Sequence, residues 1–262
     1  MHRVRTLIYQ IFEWAVACDR AEMNPATGTE LAVIPKPTKN FACAKTRDEI
    51  REVLQTTWDY EGMLSVRQAM RVMSYVAARP VEIRNWRWRD IDTENAVWRR
   101  KLAKRKKGEP PKVMLCPLPP QVMTEVELLR PFSGQSPENH IFFGMIKGKP
   151  ISESTVNVAL RRLGLGIDTQ ELHTGHGWRG SFSTVARESG APSAWSEAQL
   201  GHVVQDNTEA AYNHAEYLVQ RRRIMQWWAD WLDAARLEKP APELVNYFSA
   251  REFAVRVKVV VA

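Results

Sequence analysis

Residues 95–118 interrupt a pattern that is helical on both sides, and this interruption constrains the fold most strongly. Two short runs in this stretch, AVWRRKLA and KVMLCPLP, have the pattern of strands, and the turn sequence KKGEPP lies between them. Together they predict an antiparallel hairpin. The run HIFF at 140–143 is a candidate for a third short strand.

Apolar residues recur at helical spacing before and after this hairpin. They predict a helix over residues 3–20, a helix in TRDEIREVLQTTW, and another near 64–78. Thr46, followed three residues later by Glu49, is the signature of a capping box at the start of the second helix. Beyond residue 150 the pattern is helical again to about 237. The predicted fold class is therefore mainly α with a small antiparallel β-sheet (α+β).

The chain is predicted to contain a linker near its start. The stretch NPATGTELAVIPKPTKNFACAKT is punctuated by proline and glycine, which is typical of an extended connection. A strong helix that begins at the first residue resembles the end of a preceding domain. We therefore expect a remnant helix in 1–22, a linker in 23–45, one main domain in 46–237 and a tail in 238–262.

Composition excludes several classes of protein. The 262 residues are 44% hydrophobic, with 37 Lys and Arg against 30 Asp and Glu, giving a net charge of +7. This balance allows a sizeable core and favours a polyanionic partner. Cys18, Cys43 and Cys116 are far apart and form no disulfide framework, so we expect reduced thiols in a cytoplasmic protein. The sequence contains no long apolar run, so no membrane span is expected, and no signal peptide is expected either.

The stretch AARPVEIRNWRWRDID places an arginine just ahead of a helix start. Pro80 favours an extended conformation for Arg79 and suits the first turn of the following helix. Backbone donors and the helix dipole at such a position attract an anion. The plain alternative is a surface arginine beside a helix.

The predicted hairpin is strongly basic. Between strand and turn it carries seven positive side chains, namely Arg99, Arg100, Lys101, Lys104, Arg105, Lys106 and Lys107. Such a hairpin can lie on phosphates or enter a groove of DNA. The alternative is a solvated edge strand protected from aggregation by its charges.

Two further stretches contain residues suited to chemistry. In ELHTGHGWRGS, Thr174 is a plausible N-cap, and His176 and Arg179 share one helical face near an N-terminus. In LGHVVQDNTEAAY, His202 follows a Leu-Gly turn and Tyr212 falls in the next helix; taken singly, both are more often fillers of core or surface. The histidines lack the neighbouring thiols or carboxylates of a metal site, so no metal is expected.

The four stretches described above, in the order in which they occur in the chain, resemble the motifs of the tyrosine recombinase (phage integrase) family. The family's first box, R-x-x-E-[I/L] followed by W-x-D-[I/V]-D, stands here as RPVEIRNWRWRDID, with Trp86 where leucine is common. The second box, H-x-x-R, is HGWR, and the third, L-G-H with a tyrosine ten residues later, is LGHVVQDNTEAAY. The run AAYNHAEYLVQRRRIMQWWADWLD is similar to integrases of satellite phages and genomic islands. The resemblance covers about residues 40–236.

The resemblance implies a site-specific recombinase with a catalytic-domain fold of this family. Tyr212 would attack the scissile phosphate and form a 3′-phosphotyrosyl bond, and Arg79 and Arg179 would clamp the phosphate oxygens. His202 would add a donor, and His176 would assist proton transfer. A hairpin lysine would protonate the leaving 5′-oxygen: the K-x-G pattern selects Lys106, with Lys104 and Lys107 as rivals. Glu82 would brace Arg79, and Tyr217 is a rival nucleophile at an unsuitable distance from His202.

The resemblance also implies partners. These are double-stranded DNA and other protomers assembled on it, without a cofactor, a metal, a membrane or a small-molecule substrate, in the nucleoid of a bacterial cytoplasm. The apolar stripe of the helix near 216–235 is expected to pack on its own domain, on a neighbouring protomer, or on both. Because only the last helix of the family's core-binding domain is recognisable, a truncated, idle DNA-binding remnant is one alternative. A type IB topoisomerase-like enzyme is the other.

Overall fold

The computed structural model describes residues 2–28, 41–102, 112–167, 170–201 and 217–249. The chain divides into two compact units, residues 1–40 and 41–262. In the first unit, α1 (His2–Ala17) carries an apolar face that includes the exposed Leu7, Ile11 and Trp14. The helix therefore has the amphipathic pattern expected from the sequence.

The second unit contains most of the secondary structure. Its helices are α2 (Arg47–Trp58), α3 (Leu64–Val76), α4 (Pro80–Arg84), α5 (Pro120–Glu127), α6 (Arg130–Ser133), α7 (Thr155–Arg162), α8 (Gly177–Glu188), α9 (Ser193–Leu200), α10 (Leu218–Arg236) and α11 (Asn246–Ser249). Its strands are β1 (Ile91–Asp92), β2 (Val97–Lys101), β3 (Val113–Pro117), β4 (Gly166–Ile167) and β5 (Gln170–Glu171). A 3₁₀ turn, Trp88–Asp90, precedes β1. The predicted α+β class is confirmed.

Local signals in the sequence set the starts of two helices. The capping box of α2 is present: the Thr46 hydroxyl accepts from the Glu49 N–H at 3.3 Å, and the Glu49 carboxylate accepts from the Thr46 N–H at 3.1 Å. Helix α3 ends at Val76, and the following residue, Ala77, reverses the chain with a φ of 48°. Arg79 follows in an extended conformation, and Pro80 occupies the first position of α4, as predicted.

The main sheet has three antiparallel strands in the order β1-β2-β3. The predicted hairpin is confirmed, with Trp98 opposite Cys116 and Arg100 opposite Met114. The third strand is β1, not the predicted 140–143 segment. That segment makes only single bridges, at His140 and Phe143, and the Ile141 and Phe142 side chains between them are buried in the core. The short β4–β5 pair was not predicted.

Helix α10 lies at the centre of the core, where it packs on α2, α3, α8, α9 and β3. Its Trp228 donates from Nε1 to the Ser74 carbonyl at 2.8 Å and stacks on Trp231 at a centroid distance of 5.6 Å. The apolar stripe considered for docking on another protomer is buried in this domain, as its residues Ile224, Met225, Trp228, Trp231 and Leu232 show. These side chains therefore stabilise their own domain.

Within the described residues, no helix combines the length and apolarity needed to cross a membrane.

Candidate active site

Arg79 is held in place by Glu82. The Arg79 backbone N–H donates to one carboxylate oxygen of Glu82 at 3.1 Å, and its Nη1 donates to the other at 3.0 Å. The Arg79 side chain remains 16% exposed, whereas the Glu82 side chain is almost completely buried. Glu82 thus fixes both the backbone and the guanidinium group of Arg79.

The same carboxylate binds a second arginine, from the hairpin. Arg100 donates from Nε to Glu82 Oε2 at 2.8 Å, and its Nη1 donates to the Gln199 carbonyl at 3.1 Å. Its side chain is 0% exposed. The expectation that Arg100 lies on DNA is therefore wrong in this structure, because a fully buried guanidinium paired with Glu82 has no access to a phosphate.

Arg179 completes a cluster of three arginines. It lies buried on α8, and its Nη1 donates to the carbonyl of Ala77 at 3.2 Å. Burial is the largest cause lowering the pKa of Arg179, and the positive charges of Arg79 and Arg100 lower it further. Glu82 acts in the opposite direction. Such concentrated positive charge favours binding of an anion.

His176 is the N-cap of α8, directly before the helical turn that carries Arg179. Thr174, the predicted N-cap, lies two residues before the actual N-cap. Its hydroxyl still caps the helix start, since it accepts from the Gly177 N–H at 3.2 Å. His176 is half-buried, and its ring contacts that of Phe41 at a centroid distance of 4.3 Å. His176 and Arg179 thus share the start of one helix, as predicted.

A segment that we call the strap, residues 41–45, crosses the start of α8. The Ala42 carbonyl accepts from the Thr174 N–H at 3.2 Å, and the Ala44 N–H donates to Nδ1 of His173 at 3.1 Å. The Ala44 carbonyl accepts from the Ser181 hydroxyl. Both sides of the helix start are therefore bonded to the strap.

Two glycines of HGWRG make this crossing possible. A Cβ on Gly177 would lie 2.4 Å from the Ala42 carbonyl oxygen, and one on Gly180 would lie 2.9 Å from Cys43 Sγ. Sequence reasoning missed the strap, although the paired glycines signal a close backbone approach. The strap occupies the space in which side chains at positions 177 and 180 would lie. Glycine at both positions, on either side of Trp178 and Arg179, is therefore required.

Gln199 and Arg221 connect the elements on either side of residues 202–216. Arg221, on α10, donates from Nε to Oε1 of Gln199 at 3.1 Å and from Nη2 to the Leu115 carbonyl. Arg221 is 1% exposed. Sequence reasoning missed it, yet Arg221 stands in helical register with Ile224 and Trp228 of the apolar stripe, which signals a buried cation.

Other predicted residues lie on the outer face of the sheet or outside the described residues. Arg99 and Lys101 are exposed on β2, near Asp92 at 3.6 Å and Asp90 at 3.8 Å, respectively. The predicted residues outside the described part of the chain are Lys104, Arg105, Lys106, Lys107, His202 and Tyr212. The rival Tyr217 is the N-cap of α10 in a left-handed conformation, with φ of 45°.

His173 is a buried histidine of the fold. Its side chain is 0% exposed, and burial lowers its pKa to about 3. Its neutral Nδ1 accepts from the strap. Among the described residues, no group of three or more His, Cys, Asp or Glu side chains is placed to hold a metal ion.

Comparison with solved structures identifies the fold. The chain is similar to a lambda integrase dimer bound to a COC′ core site, with a TM-score of 0.52, 16% identity, and coverage of 84% of this chain and 57% of that one. It is also similar to the Tn1549 transposon integrase in complex with circular intermediate DNA, with a TM-score of 0.53, 17% identity, and coverage of 82% and 74%.

Comparison of sequences gives the family. The integrase of Shigella phage Sf6 and prophage integrase IntS of Escherichia coli are each 33% identical over 235 residues, which is 88% of this chain. The chain spans 58% of the length of each of these relatives. The model of the phage integrase family matches residues 45–218, which include all the boxes described above. The chain therefore belongs to the phage integrase family.

Proposed function

We propose that this chain is the catalytic part of a site-specific DNA recombinase that cuts and rejoins DNA through Tyr212. The observation that carries the proposal is the Arg79–Arg179 pair, held by the Glu82 carboxylate and the Ala77 carbonyl within one positively charged cluster. Two fixed guanidinium groups match the oxygens of a DNA phosphodiester. Residues 46–237 would form the catalytic domain, and the helix in 1–22 would belong to a second DNA-binding domain.

The chemistry requires charge stabilisation in the transition state. When the Tyr212 oxygen attacks phosphorus, negative charge builds up on the two non-bridging oxygens. Arg79 and Arg179 would donate to those oxygens, and His202 would add a further donor. Because the arginines are fixed by hydrogen bonds before DNA arrives, little reorganisation would be needed at the moment of reaction.

Proton transfer would occur at the two bridging oxygens. A phenol has a pKa of about 10, so Tyr212 must lose its proton as the new bond to phosphorus forms, and His176 would assist that loss. As the bond to the 5′-oxygen breaks, Lys106 would donate a proton to it, with Lys104 and Lys107 as the alternative donors. The phosphotyrosyl bond conserves the energy of the phosphodiester, so rejoining needs no ATP.

DNA would also be bound outside the reacting phosphate. Arg99 and Lys101, on the exposed face of β2, would contact backbone phosphates together with Lys104, Arg105 and Lys107. The lambda integrase structures include a tetramer bound to a Holliday junction, which supports a proposal that several protomers act together on DNA here. The reaction would take place on bacterial DNA in the cytoplasm.

The test is covalent capture on nicked suicide duplexes whose core sequence is randomised. The nick releases a short strand after cleavage, so each phosphotyrosyl adduct is trapped and its DNA can be sequenced. We expect adducts enriched in one core sequence, formed equally in EDTA, and eliminated in Tyr212→Phe but retained in Tyr217→Phe. No adduct from the wild-type chain would contradict the proposal in favour of an idle DNA-binding protein. Relaxation of supercoiled plasmid without sequence enrichment would favour a topoisomerase.

A further inference from the structure

We propose that Phe41 is a positioning residue for His176, holding the imidazole in the orientation that proton transfer at Tyr212 requires. The inference rests on the function proposed above for His176. It adds to that function a residue from outside the family's boxes.

The contact itself is direct. The Phe41 and His176 rings have centroids 4.3 Å apart and an interplanar angle of 36°. The Phe41 side chain is otherwise poorly buried, because the residue is 62% exposed. An aromatic side chain this exposed contributes little to the core, and its ring packs on the imidazole of His176.

The backbone places Phe41 independently of its side chain. The neighbouring Ala42 and Ala44 hydrogen bond to the start of α8 through main-chain atoms, and Gly177 leaves room for the Ala42 carbonyl. Substitution of the Phe41 ring therefore leaves the strap in place. The region that presents His176 is therefore also hydrogen-bonded to the segment that presents Phe41.

This arrangement affects the reaction through geometry. A proton-transfer group acts within a heavy-atom distance of about 2.6–3.2 Å, and misplacement by about 1 Å can lower a rate about 100-fold. His176 is half-buried at the N-cap of α8. The Phe41 ring covers one face of the imidazole and limits rotation about its side-chain torsions.

The first experiment measures single-turnover adduct formation on the duplex selected above. We expect Phe41→Leu to lower the rate about tenfold without changing DNA affinity, and Phe41→Tyr to restore it within about twofold, since tyrosine keeps the ring. Phe132→Leu is the matched control: this residue is 60% exposed elsewhere on the domain, and its variant should match the wild type.

A double-mutant cycle tests whether Phe41 acts through the histidine. If it does, Phe41→Leu has no further effect in a His176→Ala background, because there is no imidazole left to orient. An equal loss in both backgrounds would overturn the proposal. A wild-type chain that forms adducts at the same rate as Phe41→Leu would overturn it as well, while leaving the proposed function intact.

A second measurement does not depend on activity. In NMR spectra, the imidazole protons of His176, assigned with His176→Gln, should lie in the ring current of Phe41. We expect Phe41→Leu to shift these resonances and Phe132→Leu to leave them in place. Unchanged resonances in Phe41→Leu would disprove the contact even if the chain forms no adduct, so failure of the inference and failure of the proposed function are distinguishable.

Discussion

Arg99 and Arg100 are adjacent on the same strand but lie in opposite environments. The Arg99 side chain is 59% exposed beside Asp92, whereas that of Arg100 is 0% exposed and bonded to Glu82. Side chains alternate between the two faces of a strand, so a run of basic residues is divided between solvent and core. A count of positive charges in the sequence therefore overstates the DNA-binding surface, because one of the counted residues belongs to a buried ion pair.

His173 and His176 show the same contrast on a different element. His173 is buried and neutral, and it accepts a hydrogen bond from the strap. His176, three residues later, is half-buried and lies against Phe41. In both pairs the inner residue supports the fold, while the outer residue lies closer to the solvent.

Glu82→Gln should give the largest loss of stability, because it disrupts the buried ion pair that Arg100 makes. The substitution keeps the size of the side chain but removes the charge that compensates Arg79 and Arg100. Removing one partner of a buried ion pair leaves an uncompensated charge in the core. We expect a loss of about 3 kcal/mol in the free energy of unfolding, measured by urea denaturation.

The control is the same change at the surface. Glu138 is 56% exposed and pairs with Arg89 at 2.6 Å. Because exposed ion pairs contribute little, Glu138→Gln should cost less than about 1 kcal/mol. Similar losses in the two variants would show that burial does not distinguish the two pairs.

Local signals made much of the fold predictable from the sequence. The Thr46 capping box, the break at Arg79–Pro80 and the basic hairpin each depend on residues close together in the chain. The same is true of the shared position of His176 and Arg179 on α8.

The remaining features depend on partners that are distant in the chain. The burial of Arg100 follows from its bonds to Glu82 and Gln199, which lie 18 and 99 residues away. The strap reaches His173 across 129 residues. No local periodicity carries such information. The two glycines beside the strap indicate that something approaches closely, without identifying what it is.

The buried His173 should make the stability of the protein depend on pH, which distinguishes it from the half-buried His176. Its pKa is about 3 in the folded protein, against an ordinary value of 6.5. The unfolded chain therefore binds a proton that the folded chain excludes, and stability falls as the pH decreases from about 6.5 towards 3. At pH 5 the loss attributable to His173 should be about 2 kcal/mol.

His173→Asn isolates this effect, because asparagine can still accept from the Ala44 N–H but does not titrate. Any packing cost of the substitution is independent of pH. The stability difference between the variant and the wild type should therefore narrow by about 2 kcal/mol between pH 7 and pH 5. Parallel curves of unfolding free energy against pH would show that His173 is not the titrating group.

Arg99→Met should give the smallest change in stability. It tests whether this exposed arginine of β2 contributes to DNA binding rather than to the fold. An exposed arginine contributes little to stability, so we expect a change within about 0.5 kcal/mol. If Arg99 contacts a backbone phosphate, its removal should reduce the slope of log affinity against log salt concentration by about 1. DNA binding would be measured by fluorescence anisotropy at several salt concentrations.

Arg51→Met is the control. It removes the same charge from a partly exposed arginine on α2, which is paired with Asp48, and should leave the slope unchanged. Equal slopes in all three proteins would place the outer face of β2 away from DNA, and exposure alone would then no longer predict which hairpin cations bind phosphate.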